Sequence, residues 1–207
     1  MTEKRGLLVG VTGGVACGKS AVGHILKEMG VPVCEADELA HRTLDPGGPA
    51  YKAVTDFFGP NIVQADGGID RKRLADIVFN DAPKLAELNN LVHPHVRAAW
   101  RVWVDANSKS EPAVVVIVPL LFEVGADAEM DAVVCVTSPD SLIHERAMER
   151  GWTQAQTVAR QAAQMNLAEK VKRSKYVIVN KGSWADLEAE TRRVWNALLS
   201  KEMHTNG

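Results

Sequence analysis

Gly6-Leu7-Leu8-Val9-Gly10-Val11-Thr12-Gly13-Gly14-Val15-Ala16-Cys17-Gly18-Lys19-Ser20 is the stretch from which the rest of the chain is read. Gly13 to Ser20 fit G-x-x-x-x-G-K-[ST], the loop that wraps a nucleotide's phosphates. The context agrees: an apolar run, Leu7 to Val11, reads as a buried strand before it, and a helix-forming run closed by Gly30 follows. Gly13, Gly14 and Gly18 leave room for backbone amides to turn onto phosphate oxygens, and the helix behind them aims its positive dipole end at the same anion. Gly13, Gly14, Val15, Ala16, Cys17, Gly18, Lys19, Ser20 and Ala21 are therefore expected at the nucleotide. Lys19 is expected on the β and γ phosphates, and the Ser20 hydroxyl on Mg2+.

Composition bounds what such a loop could serve. The chain has 207 residues, enough for one well-packed core and few for two independent domains, so one domain with an insertion is expected. With 24 basic and 26 acidic residues the net charge is -2, which excludes the broad cationic surface that non-specific nucleic-acid binding requires. Cys17, Cys34 and Cys135 lie far apart, without C-x-x-C spacing, and suit a reducing compartment. Apolar runs fall short of a bilayer span, so a soluble, cytoplasmic protein without a membrane partner is expected. Cys17 beside a helix N-terminus also suggests a lowered thiol pKa and sensitivity to oxidation.

Val31 to Cys34 reads as a second strand, with Glu35-Ala36-Asp37 at its carboxyl end, where doubly wound sheets place ligands. A polar surface turn suits the same acidic pair, and spacing leaves both open. From about Leu39 to Trp103, turn clusters such as Asp45-Pro46-Gly47-Gly48-Pro49 separate amphipathic helical patterns, among them Tyr51, Val54, Phe57 and Phe58. This predicts a mostly helical insertion over 39–103 within a core of 1–38 and 104–207. It carries the basic cluster Arg71-Lys72-Arg73 and His93-Pro94-His95, each compatible with a ligand contact or with a solvated helix face.

Ala113 to Val118 is a β-branched run buried on both faces, ending in Pro119-Leu120-Leu121-Phe122-Glu123, and Ala132 to Val136 is a fourth strand. Ser138-Pro139 is expected to cap a helix that sets Arg146 and Arg150 on one face. A second helix starts at Thr153, where Gln156 completes a capping box, and is expected to run toward Met165. Arg146, Arg150, Arg160, Lys170, Lys172 and Arg173 together suggest a cationic lid over 141–173, since phosphoryl transfer needs cations on the transferring group and water kept out.

Tyr176 to Val179 is the fifth strand, followed by Asn180-Lys181-Gly182-Ser183, which departs from the guanine-reading N-K-x-D at Ser183. Serine cannot accept the two N–H groups of guanine; Ser183 with Asp186 instead predicts a capping box for a last helix with Trp184, Leu187, Val194 and Leu198 as its apolar stripe. Met203 to Gly207 are expected to be disordered. Five strands alternating with helices indicate a mostly parallel α/β sheet. No Walker B acid ends the Ala113 strand, so a small-molecule kinase fits better than a GTPase or motor. Another kinase for a nucleoside or small alcohol, or a nucleotide-binding regulatory module, stays open from the residues alone.

In order and spacing, the motifs resemble one family, dephospho-CoA kinase. They are Val11 to Ser20, Glu35-Ala36-Asp37, Phe57-Phe58-Gly59, Gly68-Ile69-Asp70-Arg71, Val78-Phe79, His93-Pro94, Pro119 to Glu123 and Val177 to Gly182. The resemblance implies a three-layer P-loop kinase fold with a helical CoA-binding insertion and an arginine lid. It implies ATP-dependent phosphorylation of the 3'-hydroxyl of the dephospho-CoA ribose, with Mg2+, in a monomer or weak homo-oligomer. Asp37 then matches the catalytic aspartate and is a second candidate for Mg2+. Thr12, Pro119, Leu120, Leu121, Phe122 and Glu123 match acceptor positions, and Arg71 and His93 fall in the CoA-binding region. Arg146, with Arg150 as face partner, matches the arginine that neutralises the transferring phosphoryl, and Asn180 and Gly182 match the loop beside the adenine. The chain departs from the family pattern at Glu35 (usually Asp), Ala16 and Cys17 (commonly Gly and Ser) and Ala21 (usually Thr).

Overall fold

The computed structural model describes residues 5–79 and 81–205, with the backbone alone for residues 79 and 203–205. In chain order the elements are β1 (Leu7–Gly13), α1 (Lys19–Glu28), β2 (Val33–Glu35), α2 (Ala36–Thr43), α3 (Tyr51–Phe58), α4 (Arg71–Phe79), α5 (Ala82–Asn107) and β3 (Ala113–Ile117). Then come β4 (Ala132–Thr137), α6 (Asp140–Glu149), α7 (Gln154–Ala162), α8 (Leu167–Arg173), β5 (Tyr176–Val179) and α9 (Trp184–Thr205). They divide into two compact units, Met1–Cys34 with Val104–Gly207, and Glu35–Trp103.

The first unit is an α/β layer structure on a five-stranded sheet of order β2-β3-β1-β4-β5. β1 pairs in parallel with β3 (Val9 opposite Val115) and with β4 (Val11 opposite Val134), and β4 with β5 (Val136 opposite Ile178). All five residues of β3 are buried, as its β-branched run requires when both faces of a parallel sheet are covered. On one face Val9, Val11, Val115 and Val134 pack with Val22, Ile25 and Leu26 of α1 and Leu187, Val194 and Leu198 of α9. β1 is central, and the chain leaving it goes to the β3 side while β4 and β5 lie on the other. Ligands in such sheets bind beyond the carboxyl ends at this reversal.

Several expected boundaries are corrected. The second strand begins at Val33, because Val31 still closes α1 through its N–H to Leu26 O (3.0 Å) beside Gly30 at φ 81°. The helix from Thr153 keeps its capping box but stops at Ala162, and α8 restarts where the Asn166 side chain accepts from Ala168 N–H. Ser138 caps nothing: Pro139 stands at the N-cap of α6 without a side-chain bond. Trp184 is exposed, leaving Leu187, Val194 and Leu198 as the buried stripe of α9. That helix runs through Thr205, so the disorder expected from Met203 does not hold to that point; Asn206 and Gly207 lie outside the described residues.

The second unit is helical, with α2, α3, α4 and most of α5 around buried Val54, Ile62, Leu74, Val92, Val96 and Trp100. Its only extended pairing among the described residues outside named strands is the bridge Val63 to Ile69, which brackets the Asp66-Gly67-Gly68 turn. The Tyr51 hydroxyl donates to Gly67 O at 2.5 Å and ties that turn to α3. Among the described residues no helix is long and apolar enough to cross a membrane.

Candidate active site

β1 delivers the chain into a loop that three residues hold open. At Gly13, φ is 150° and an added Cβ would lie 2.1 Å from Val136 O; at Gly18, φ is 98° and the Cβ would lie 2.3 Å from Asn180 Nδ2. Ala16, where a glycine would be at ease, also has positive φ, 55°. A left-handed non-glycine residue costs about 1–2 kcal/mol and persists where the surroundings over-determine it. α1 starts at Lys19 with no acidic residue in its first turn, so its positive dipole end meets no acidic side chain of its own there. Lys19 Nζ donates to Gly14 O (2.8 Å) and Gly13 O (3.2 Å), arching over the loop. Ser20 is exposed in the same turn.

What over-determines the loop is a bracing network behind it. Asn180, just past β5 and almost fully buried, donates from Nδ2 to Cys17 O (3.0 Å). Its Oδ1 accepts from Arg146 Nη2 (2.9 Å) and from Gly182 N–H (3.2 Å). Arg146 Nη1 donates to Ser138 Oγ (3.0 Å) and to the carbonyl of strained Ala16 (3.4 Å), and Ser138 Oγ donates to Asn180 O (2.8 Å). Asn180 thus spends its side chain on the loop, and Gly182 reaches the site through its backbone. Ser138, expected only as a cap, belongs to this network. Sequence reasoning gave no signal for it beyond its place at the carboxyl end of β4. Cys17 is fully buried, and that burial pushes its thiol up despite Lys19 and Arg146 nearby, which overturns the expected low pKa.

The Pro119–Glu123 stretch follows β3 and Val118. Thr12, expected at the acceptor, is fully buried and donates its hydroxyl to Pro119 O (3.1 Å), so it holds the stretch instead of presenting an OH. Leu121 and Phe122 are buried, while Pro119 and Leu120 are half-buried. The same Pro119 carbonyl accepts from Lys170 Nζ (2.7 Å), whose ammonium also pairs with Glu123 Oε1 (2.9 Å). Arg173 pairs with Asp127 (3.0 Å), and Lys172 is near Glu169 (3.9 Å). Lys170 and Arg173 are therefore committed to carboxylates, which removes them from the cationic lid expected over 141–173. The signal was present: Leu167, Lys170, Val171 and Ser174 share one helical face, so Lys170 sits in an inward stripe.

A cavity of about 600 Å³ opens beside the loop, lined by Gly14 and Val15, by Ser138 and Asp140, and by Gln161 and Gln164 to Ala168 from α7, α8 and their connection. Arg150, at the end of α6, and Arg160, on α7, both lie over the Trp152 ring, at 5.7 and 4.4 Å. Arg146 and Arg150 therefore diverge: one braces the loop, and the other is exposed.

In the second unit Asp37 is exposed in the first turn of α2, directly after β2. Arg71 opens α4 and pairs with Asp45 (3.0 Å) while donating to His41 O (3.3 Å). His93 lies in α5 beside Pro94, and burial pushes its imidazole below the usual range. No group of three His, Cys, Asp or Glu among the described residues could hold a metal alone.

The family model for dephospho-CoA kinase matches residues 7–186. The chain is 42% identical over 197 residues to the dephospho-CoA kinase of Geobacillus kaustophilus, covering 94% of this chain and 96% of that protein. It is 40% identical to that of Lactobacillus johnsonii over 87% and 92% of the two chains. Among solved structures, a Thermus thermophilus protein superposes with TM-score 0.80 at 33% identity, over 96% of this chain and 98% of the other. Dephospho-CoA kinase from Campylobacter jejuni superposes with TM-score 0.70 at 30% identity, over 94% and 98%.

Proposed function

The chain belongs to the dephospho-CoA kinase family, and from that premise we propose how its residues transfer the γ-phosphoryl group of ATP to the 3'-hydroxyl of the dephospho-CoA ribose, giving CoA and ADP. The observation that carries the reading is the phosphate loop: positive-φ Gly13 and Gly18, the first turn of α1 with no acidic residue, and Lys19 arched over it. Its amides cradle the β and γ phosphates, and Lys19 exchanges its two carbonyl partners for phosphate oxygens. Arg146 keeps the loop in shape and adds positive potential from behind. Arg150 is free to approach the transferring group from the lid side.

Asp37 orients the 3'-hydroxyl and takes its proton as the oxygen attacks the γ-phosphorus; the bond to the bridging oxygen breaks, and ADP leaves. Arg71 and His93 are assigned to dephospho-CoA, and the Pro119–Glu123 stretch to the acceptor. Ser20, exposed in the first turn of α1, would hold Mg2+ through its hydroxyl, and Asp37 is assigned as a second residue for it. With no all-protein cage among the described residues, the ion would be shared with phosphate oxygens and water, as Mg2+ prefers. When bound it neutralises charge developing on the phosphates. Three free, buried cysteines suit a reducing compartment, and the cytoplasm is the proposed location. An ADP-release assay against an acceptor panel tests the reading: turnover should follow dephospho-CoA, and turnover with a nucleoside or simple alcohol alone would reject it.

A further inference from the structure

Lys170 is the largest of the fully buried side chains among the described residues, and the mechanism above leaves it without a task. Its ammonium contacts both ends of one loop: Pro119 O at 2.7 Å and Glu123 Oε1 at 2.9 Å. The same Glu123 oxygen accepts from Met165 N–H (2.8 Å), in the connection that leads into α8. Three residues after Lys170, on the same face of the helix, Arg173 lies over the Phe122 ring at 4.4 Å and pairs with Asp127. At the other end of α8, Leu167 packs on the phosphate loop, where an added Cβ at Gly14 would lie 3.2 Å from Leu167 Cδ2. Pro119 O is in turn bonded to Thr12, next to Gly13.

α8 therefore touches the phosphate loop at its start and grips Pro119 to Asp127 along its length. A side chain such as methionine would fill the place of Lys170 without burying a charge, and pairing with the exposed Glu123 only partly offsets the desolvation of the buried ammonium. What the ammonium adds is placement, since it fixes a carbonyl and a carboxylate of one loop relative to one point. We infer that Lys170 is a positioning residue for phosphoryl transfer: through Pro119 and Glu123 it sets the acceptor loop against the phosphate loop that Leu167 contacts. This rests on the reading of Pro119–Glu123 as the acceptor stretch given above.

The test is Lys170→Met, which removes the buried ammonium and leaves the exposed Glu123 to accept from Met165 N–H. Transfer to dephospho-CoA and the slow, acceptor-independent hydrolysis of ATP are measured on the same preparation. A misplaced acceptor should lower kcat for dephospho-CoA on the order of a hundredfold. KM for ATP and the hydrolysis rate should stay within about threefold of the unmodified enzyme, so the ratio of transfer to hydrolysis collapses. A folded Lys170→Met variant with an unchanged ratio would overturn the inference and leave the ammonium a packing feature. If Lys170→Met does not fold, Lys170→Gln is read by the same ratio: a fall supports the role and an unchanged value rejects it. An unmodified enzyme that fails to phosphorylate dephospho-CoA would reject the functional reading instead.

Discussion

Lys19 and Asp37 carry different halves of the reaction, and their substitutions should separate them. Lys19→Ala removes the cation that arches over Gly13 and Gly14, so kcat/KM for ATP should fall on the order of a hundred- to a thousandfold. Asp37→Asn keeps the shape and loses the proton acceptor; kcat should drop about 10²–10⁴-fold with ATP affinity little changed. Initial rates over a matrix of both substrates check both, and a large loss of ATP binding in Asp37→Asn would make that residue chiefly a metal ligand. Cys17 belongs to the same scale. Because Cys17, Cys34 and Cys135 are all buried, a thiol reagent should titrate none of them rapidly in the native enzyme and all of them in denaturant. Rapid native labelling of Cys17 would contradict the account.

At the level of elements, the phosphate loop depends on β5's exit as much as on its own glycines. Gly18→Ala would drive a Cβ into Asn180 Nδ2, breaking the bond to Cys17 O and with it the bridge to Arg146. ATP affinity should fall at least about tenfold, since two aligned hydrogen bonds and a backbone strain are lost together. Calorimetric titration measures this; unchanged affinity would show that the brace is dispensable. The strand, loop and helix from Leu7 to Glu28 were legible because period, glycine positions and helix signals agree there. So was the buried β3, where every residue is β-branched or small. Ser138 was not legible as a site residue, and for Lys170 the helical stripe showed its burial but not its partners. Each has a polar side chain whose partners, Asn180 and Arg146 for one and Pro119 and Glu123 for the other, are distant in sequence, so local rules assigned them a cap and a lid. Trp184 fits a helical stripe by spacing, yet at the first turn of α9 it stays exposed, its ring edge-on to His24 of α1 at 5.7 Å.

For the molecule as a whole, buried titratable groups in both units set the pH range of stability. Burial holds Cys135 neutral and raises its thiol from 9.0 to about 11. A raised folded pKa contributes stability that is full below the unfolded value and lost as pH rises through the folded one, so stability should decline between about pH 9 and 11. Cys135→Ala should flatten that decline in urea titrations. On the acid side His93 is depressed below 6.5 by burial, so its contribution is present above pH 6.5 and is lost as pH falls through its folded value. The net charge of -2 leaves polyanion recognition to the local loop, and Ser183 is bonded to Asp186 as a helix cap, with no carboxylate at the position that reads guanine. The central claim is regioselective transfer from ATP to one hydroxyl, and product identity tests it most directly. With ATP, Mg2+ and dephospho-CoA, mass spectrometry and phosphorus NMR should find ADP and CoA in equal amounts, the new phosphate on the ribose 3'-oxygen. ADP without CoA, or phosphate on any other oxygen, would contradict the account.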